Sequence, residues 1–153
     1  MFDNSEINFL TVGIMIQYFA FPEIGLGIQK GLGEIDIQSM YEFARNYLLG
    51  DKQCKFHYVI VDTREAEIKF SVEEMIEYSQ WLIKNENTDS VIEYLYLATS
   101  AQATAYSMIL GNLFKDRAVS NIFFTLKKAL AYIDLVDHYD EIGSLIKDDN
   151  SFL

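Results

Sequence analysis

The feature that most constrains the fold is a short apolar run that leads through polar residues into the start of a helix. Residues 56–61 are mostly aromatic or branched, and Asp62 and Arg64 follow them. A run this short, bounded by polar residues, predicts a buried strand of a parallel or mixed sheet. Ser71 and Glu74 then provide the Ser-x-x-Glu pattern of a helix N-terminus. Strand followed by helix predicts an α/β fold, with polar groups at the sheet edge where such folds usually carry their sites.

The same alternation of strands and helices extends along the chain. Its order is β-β-α-β-α-β-α-β-α, which predicts right-handed crossovers over a largely parallel sheet, with an antiparallel hairpin at the N-terminal side. The predicted strands are 14–21, 24–30, 56–62, 91–98 and 119–124, and the predicted helices are 37–48, 72–83, 101–114 and 126–133.

The length and composition predict one domain. The chain has 153 residues, of which 50% are hydrophobic, so it can bury one substantial core. Pro22 is the only proline, and no repeat or low-complexity linker divides the sequence. We expect a single domain over 1–153, with its core at about 14–135 and an acidic tail at 137–153.

The charge balance excludes some partners and indicates a compartment. A net charge of −11 disfavours nucleic acids and anionic membranes, which are held by clustered cations. No apolar run approaches the roughly 20 residues that span a bilayer, so stable membrane insertion is not expected. With Cys54 as the only cysteine and no basic signal-peptide start, a cytoplasmic protein is expected.

No motif for catalysis or cofactor binding is evident. The sequence has neither a nucleophile–base pattern nor a cluster with metal-ligand spacing. The glycines at 25, 27, 31 and 33 match neither the phosphate-loop nor the dinucleotide-binding pattern. We therefore expect no cofactor and no metal, and we predict a protein that is not an enzyme.

Five segments carry a family resemblance by their order and spacing, namely 27–31, 60–64, 71–74, 122–124 and 128–133. In this respect the chain resembles STAS domains, and most of all the divergent bacterial SpoIIAA-like group, which is sometimes grouped with SEC14-like lipid-binding domains. The resemblance covers roughly residues 14–135.

The resemblance implies a non-catalytic module that regulates partner proteins in the bacterial cytoplasm. In anti-sigma-factor antagonists a kinase phosphorylates a serine at the start of the helix after the central strand, and Ser71 occupies a similar place. Phe70 precedes it here, where the antagonists have aspartate. The competing interpretation, which we favour, is that Ser71 is an ordinary helix N-cap.

The second predicted helix offers a candidate contact face. At about 100° per residue, Trp81 falls opposite the apolar stripe that begins at Val72. An aromatic residue on an outer face is a candidate interface anchor. Alternatively, the segment 142–146 folds over Trp81. The predicted partner-binding residues are Ser71, Glu74, Glu77, Tyr78 and Trp81.

Three further points stay open. Asp62 and Arg64 lie on the same side of the strand and form either a polar site or, as we favour, a local ion pair. A homo-oligomer is also left open. The alternative function is a carrier of a small apolar ligand such as a lipid, against which stands an ordinary packed core. Its predicted lining residues are Met15, Tyr18, Phe19, Phe21, Tyr94, Tyr96 and Phe123.

Overall fold

The computed structural model describes residues 10–12, 16–49, 56–85 and 93–148. Six strands form one sheet whose spatial order follows the chain, β1-β2-β3-β4-β5-β6. The first three strands are antiparallel neighbours, and β3 to β6 are parallel. The strands are β1 (Leu10–Val12), β2 (Ile16–Phe21), β3 (Leu26–Ile35), β4 (Tyr58–Ile68), β5 (Glu93–Leu97) and β6 (Val119–Phe123).

A tight turn produces the antiparallel hairpin of β2 and β3. Pro22 begins a 3₁₀ turn over Pro22–Ile24, which suits its fixed φ. Gly25 ends the turn at φ 66°, a left-handed conformation that costs glycine little. The turn pairs Phe21 with Leu26 and sets the register of the whole hairpin.

Polar side chains begin most of the helices. Asp36 Oδ1 accepts a hydrogen bond from Ser39 N at 2.8 Å, and Ser100 and Thr125 cap two later helices in the same way. The first helix continues as a π-helical segment over Ala44–Leu48. The helices are α1 (Ile37–Phe43), α2 (Val72–Asn85), α3 (Ala101–Leu113), α4 (Leu126–Tyr132) and α5 (Tyr139–Leu145).

The helices cover both faces of the sheet. Because neighbouring parallel strands follow chain order, right-handed crossovers bring α1, α2 and α3 to the same face. Their cores include Phe43, Phe70 and Met75. On the other face α4 and α5 pack on alternate residues of the strands, such as Ile28 and Ile60. Three layers result, with β5 ending beside Asp62 of the longer strand β4.

The predicted α/β alternation with an antiparallel start is confirmed, but several bounds differ: β3 and β4 run on to Ile35 and Ile68, past the predicted ends at 30 and 62. Strand β1 was not predicted, and residues 14, 15, 91 and 92 of two predicted strands lie outside the described residues. The core also extends past the expected limit at 135, because Ile142 and Ile146 of the predicted tail are 0% and 1% exposed. The short apolar spacing of this segment gave only a weak helical signal, since α5 is just seven residues long.

Within the described ranges, none of the helices combines the length and the apolar character needed to cross a bilayer.

Candidate functional site

The most polar part of the interior lies where β4 passes the end of its neighbour β5. Asp62 and Arg64 meet there as a bidentate pair, in which Arg64 Nε and Nη2 each donate to one carboxylate oxygen at 2.9 Å. Their side chains are 1% and 5% exposed, respectively. Asp62 and Arg64 therefore form the local ion pair that the sequence analysis favoured, and their side chains are buried.

Asp148 completes this cluster from the C-terminal side. Its Oδ1 lies 2.8 Å from Arg64 Nη2 as an ion pair, and its Oδ2 accepts a hydrogen bond from Tyr139 Oη at 3.1 Å. Burial acts to lower the pKa of Arg64, but the hydrogen bond and charge of Asp62, followed by the charge of Asp148, outweigh it and raise the pKa. Arg64 is thus a permanent cation shared by two buried carboxylates.

Lys30 ties the end of α5 to the sheet. It lies beside Asp62 in the register of β3 and β4 and is 3% exposed. Its Nζ donates to the carbonyls of Ile146 and Lys147 at 2.7 and 3.2 Å and pairs with Glu65 Oε2 at 2.6 Å. Carbonyls at a helix C-terminus carry partial negative charge, so a cation is favourable there. The group of Lys30, Asp62, Arg64 and Asp148, which we call the strand-end cluster, holds α5 in place.

In the strand-end cluster, positively and negatively charged side chains lie next to each other. Each carboxylate of the cluster lies within ion-pair distance of Arg64 Nη2. Two atoms of the cluster, Arg64 Nη1 and Asp148 Oδ1, have no hydrogen-bond partner among the described residues, although Asp148 Oδ1 lies within ion-pair distance of Arg64 Nη2. The sequence indicated Asp62 and Arg64 but missed Lys30 and Asp148. For Lys30 the signal was available, since it follows Leu26 and Ile28 on the buried face of an alternating strand.

The start of α2 has the predicted capping geometry. Ser71 Oγ accepts a hydrogen bond from Glu74 N at 3.1 Å, and Glu74 Oε2 accepts one from Ser71 N at 2.8 Å. Both residues are exposed, as are Glu73 and Glu77 on the same helix. The outer side of α2 is therefore an acidic surface whose first residue is already engaged as a cap.

The expected outward position of Tyr78 is wrong. Tyr78 is 4% exposed and packs edge-to-face on Tyr41 of α1, with 5.2 Å between the ring centroids. The apolar stripe of α2 is wider than predicted, because α2 packs on two neighbours. One side of the helix lies on the sheet, and the adjacent side contacts α1. Trp81 is partly buried at the border of this contact. Residues of α1 cover it, and not the segment 142–146, which lies in the core on the other face of the sheet.

Trp81 belongs to a compact aromatic group at the edge of α2. Its ring centroid is 4.9 Å from that of Tyr41 in an edge-to-face arrangement. The guanidinium of Arg45, which is exposed, lies 5.6 Å from the Trp81 ring centroid and 5.5 Å from that of Tyr41. Such cation–π contacts contribute about 0.5–1 kcal/mol at exposed sites. The three residues Tyr41, Arg45 and Trp81, here termed the aromatic border, lie beside the acidic surface of α2.

An apolar cavity of about 70 Å³ lies between the sheet and the helices α1 and α3. Phe43, Phe70 and Tyr106 are among its walls, and Tyr106 Oη donates to the Phe70 carbonyl at 2.6 Å. It is less than half the size of the roughly 150 Å³ cavity that holds a benzene molecule.

Only Tyr96 of the predicted pocket residues lines this cavity. Phe19, Phe21 and Phe123 belong to the core on the opposite face, and Met15 lies outside the described residues. The prediction combined residues from both faces of the sheet because it used the aromatic content alone. It did not take into account that successive side chains of a strand point to opposite faces.

Comparison of the chain with protein-family models, with curated proteins and with solved structures finds no match. Among the residues that the structure describes, no group of three or more His, Cys, Asp or Glu side chains is arranged to hold a metal ion.

Proposed function

We propose that the chain is a non-catalytic regulatory module that binds a protein partner, in the manner implied by its resemblance to STAS domains of the bacterial cytoplasm. The proposed contact face is the outer side of α2 with Ser71, Glu74 and Glu77, together with the aromatic border at Trp81. The observation that carries the proposal is the aromatic border, a rigid and partly exposed aromatic group placed next to a row of exposed carboxylates.

Two physical properties support this face. Tryptophan and tyrosine are enriched among the residues that dominate binding energy, and a ring held by its neighbours loses little entropy on binding. The carboxylates of Glu73, Glu74 and Glu77 would attract a basic partner surface and speed its association. The partner class is therefore a protein with a basic, partly apolar surface.

Charge reversal at Glu77 is the sharpest test of the proposed face. Glu77 is exposed, so Glu77→Lys should leave the core intact while opposing a basic partner. The full-length chain would be used to capture proteins from its host, with quantitative mass spectrometry of what is retained. We expect a protein that wild type retains and the Glu77→Lys variant loses.

The matched control is Asp137→Lys, which makes the same charge change at an exposed residue just before α5. It should retain the same partner as wild type. Equal retention by all three proteins would contradict the proposed face. Trp81→Ala is a less clean variant because the ring is partly buried, so its folded state must be checked by circular dichroism before capture is compared.

The proposal includes phosphorylation of Ser71, which the resemblance to STAS domains implies. A phosphate there would break the reciprocal hydrogen bonds with Glu74 and lie beside two carboxylates, which opposes it. Native mass spectrometry of the protein from its own host tests this directly. A phosphate mass localised to Ser71 would support the switch, and an unmodified protein under all growth conditions would remove it.

The apolar cavity favours a second candidate function, the binding of a small apolar molecule. Its size limits the ligand to a group of a few carbon atoms unless α1 and α3 separate, so a complete acyl chain would not fit as the helices stand. Ala103, 3% exposed on α3, lines the cavity, and Ala103→Val would fill part of it. Xenon or a short alcohol that raises the melting temperature of wild type but not of Ala103→Val would support ligand binding, and no shift in either would contradict it.

A further inference from the structure

Strand β6 forms one edge of the sheet, and its sequence carries none of the usual edge protection. Among the described strands it pairs only with β5. Exposed edges are ordinarily blunted by lysine, proline, a bulge or a very short strand. The opposite edge, β1, has only three residues. By contrast, β6 has five residues, Val-Ser-Asn-Ile-Phe, with no charge, glycine or proline.

The backbone of β6 can accept a further strand. The carbonyl of Phe123 accepts a hydrogen bond from Ala98 N at 3.1 Å, so this residue directs its backbone groups toward the inside of the sheet. Backbone groups of successive residues in a strand point to alternate sides. Those of Ser120 and Ile122 therefore point outward from the sheet, spaced as an added strand requires.

An open groove runs beside this edge, between β6 and α3. Gly111 permits the close approach that shapes it, because a Cβ at this position would lie 3.0 Å from Ser120 Cβ. The groove has a volume of about 600 Å³ and is open to solvent. Met108 and Val119 are 63% and 56% exposed on its walls and give apolar contacts for alternate side chains of an incoming strand.

The stretch of chain that contains β6 has a net charge opposite to that of the chain as a whole. Residues 115–128 contain four of the twelve lysines and arginines and only one acid, Asp116, in a chain of net charge −11. Lys115 lies on the groove before β6, and Lys128 is exposed in the first turn of α4 after it. The two ends of the edge are therefore flanked by exposed cations.

We propose that β6 binds an extended, acidic segment of a partner protein by β-strand addition, with the apolar side chains of that segment in the groove along α3. Main-chain hydrogen bonds along the edge would supply affinity, and the flanking cations would select acidic ends. A second copy of this chain fits less well. In an antiparallel pair centred on Asn121, Lys115 of each copy would approach Lys128 of the other, and both copies carry a large negative charge.

The test uses a synthetic fluorescent peptide with an alternating Val-Thr core flanked by aspartates on both sides. Binding to the full chain is followed by fluorescence anisotropy, and the site is located by amide chemical shifts in a ¹⁵N-labelled protein. We expect saturable binding with shifts concentrated in 119–124. A peptide N-methylated at alternate residues keeps its charge but loses its donors, so its affinity should fall by about tenfold or more.

A pair of matched variants tests the charge component. Lys115→Glu should weaken binding several-fold, whereas Lys84→Glu, the same change at an exposed lysine of α2, should leave it unchanged. The inference is overturned by any of four results: no binding at millimolar peptide, shifts confined to other elements, equal binding of the N-methylated peptide, or equal effects of the two variants. A chain that forms a dimer through β6 in sedimentation measurements would also overturn it.

Discussion

Replacing Asp62 by asparagine should destabilise the protein far more than its small change in shape suggests. Asp62→Asn keeps the size of the side chain but removes one of the two carboxylates that compensate Arg64, whose side chain is 5% exposed. Arg64 cannot release its proton to relieve the imbalance, since its pKa is already raised in the cluster. The variant therefore leaves a buried cation held by Asp148 alone.

The magnitude follows from the burial of the pair. Breaking a buried ion pair by removing one partner costs about 3–5 kcal/mol, because the remaining charge is left undercompensated. A domain of this size is stable by roughly 5–15 kcal/mol, so the loss is a large share of the total. It corresponds to a fall in melting temperature of roughly 6–20 °C.

Urea unfolding followed by circular dichroism measures this loss, with the slope m checked so that only stability has changed. Glu67→Gln is the matched control, because the side chains of Glu67 and Lys69 are 60% and 44% exposed. Loss of their ion pair should lower the free energy of unfolding by no more than about 0.5 kcal/mol. A cost below about 1 kcal/mol for Asp62→Asn would refute the reasoning that burial, and not merely proximity, determines the strength of the pair.

Three other perturbations have defined outcomes. Lys30→Met removes the donor to the end of α5 and should cost about 1–2 kcal/mol, with faster hydrogen exchange in α5; unchanged exchange would show that Lys30 does not hold the helix. Burial raises the pKa of the Tyr96 phenol above its ordinary 10.0, so its contribution to stability is complete below pH 10.0 and is lost as the pH rises toward the folded-state pKa. Urea titrations on both sides of pH 10.0 should show that the free energy of unfolding falls more steeply with pH for wild type than for Tyr96→Phe. Parallel curves for the two proteins would contradict this role of Tyr96. Gly25→Ala should cost more than Gly33→Ala, since both have φ 66° but only the first would place a Cβ 2.8 Å from His57 Cδ2; equal losses of stability would mean that the contact is irrelevant.

The sequence was sufficient for the succession of strands and helices because local signals mark their boundaries. Asp36, Ser71, Ser100 and Thr125 all cap helices, and each stands directly before a predicted helix. The position of Tyr78 was predicted wrongly because the hydrophobic period of one helix does not show that a second helix packs on its flank. That contact depends on α1 lying beside α2, which is a tertiary property.

The strand-end cluster could likewise be predicted only in part, because it also depends on tertiary contacts. Asp62 and Arg64 could be placed together from strand alternation, but their burial depends on Asp148, which is 84 residues beyond Arg64 in the chain. Nothing in the local pattern around Asp148 connects it with β4. The cavity was likewise beyond prediction, because it arises from imperfect packing of α1 and α3 on the sheet and not from any one segment.

The packing of α4 and α5 on their own face of the sheet has a consequence for synthesis of the chain. Strands β3 to β6 join the sheet in the order in which they are made, and each crossover helix covers the first face as the sheet grows. The other face, with Phe19, Ile28 and Ile60, is covered first by α4, and its covering is complete only when Ile142 and Ile146 arrive. A chain shortened to residue 135 keeps α4 but lacks α5, so it should bind an apolar dye more strongly than the chain that includes α5, and this face of the nascent protein stays partly exposed until α5 has been made.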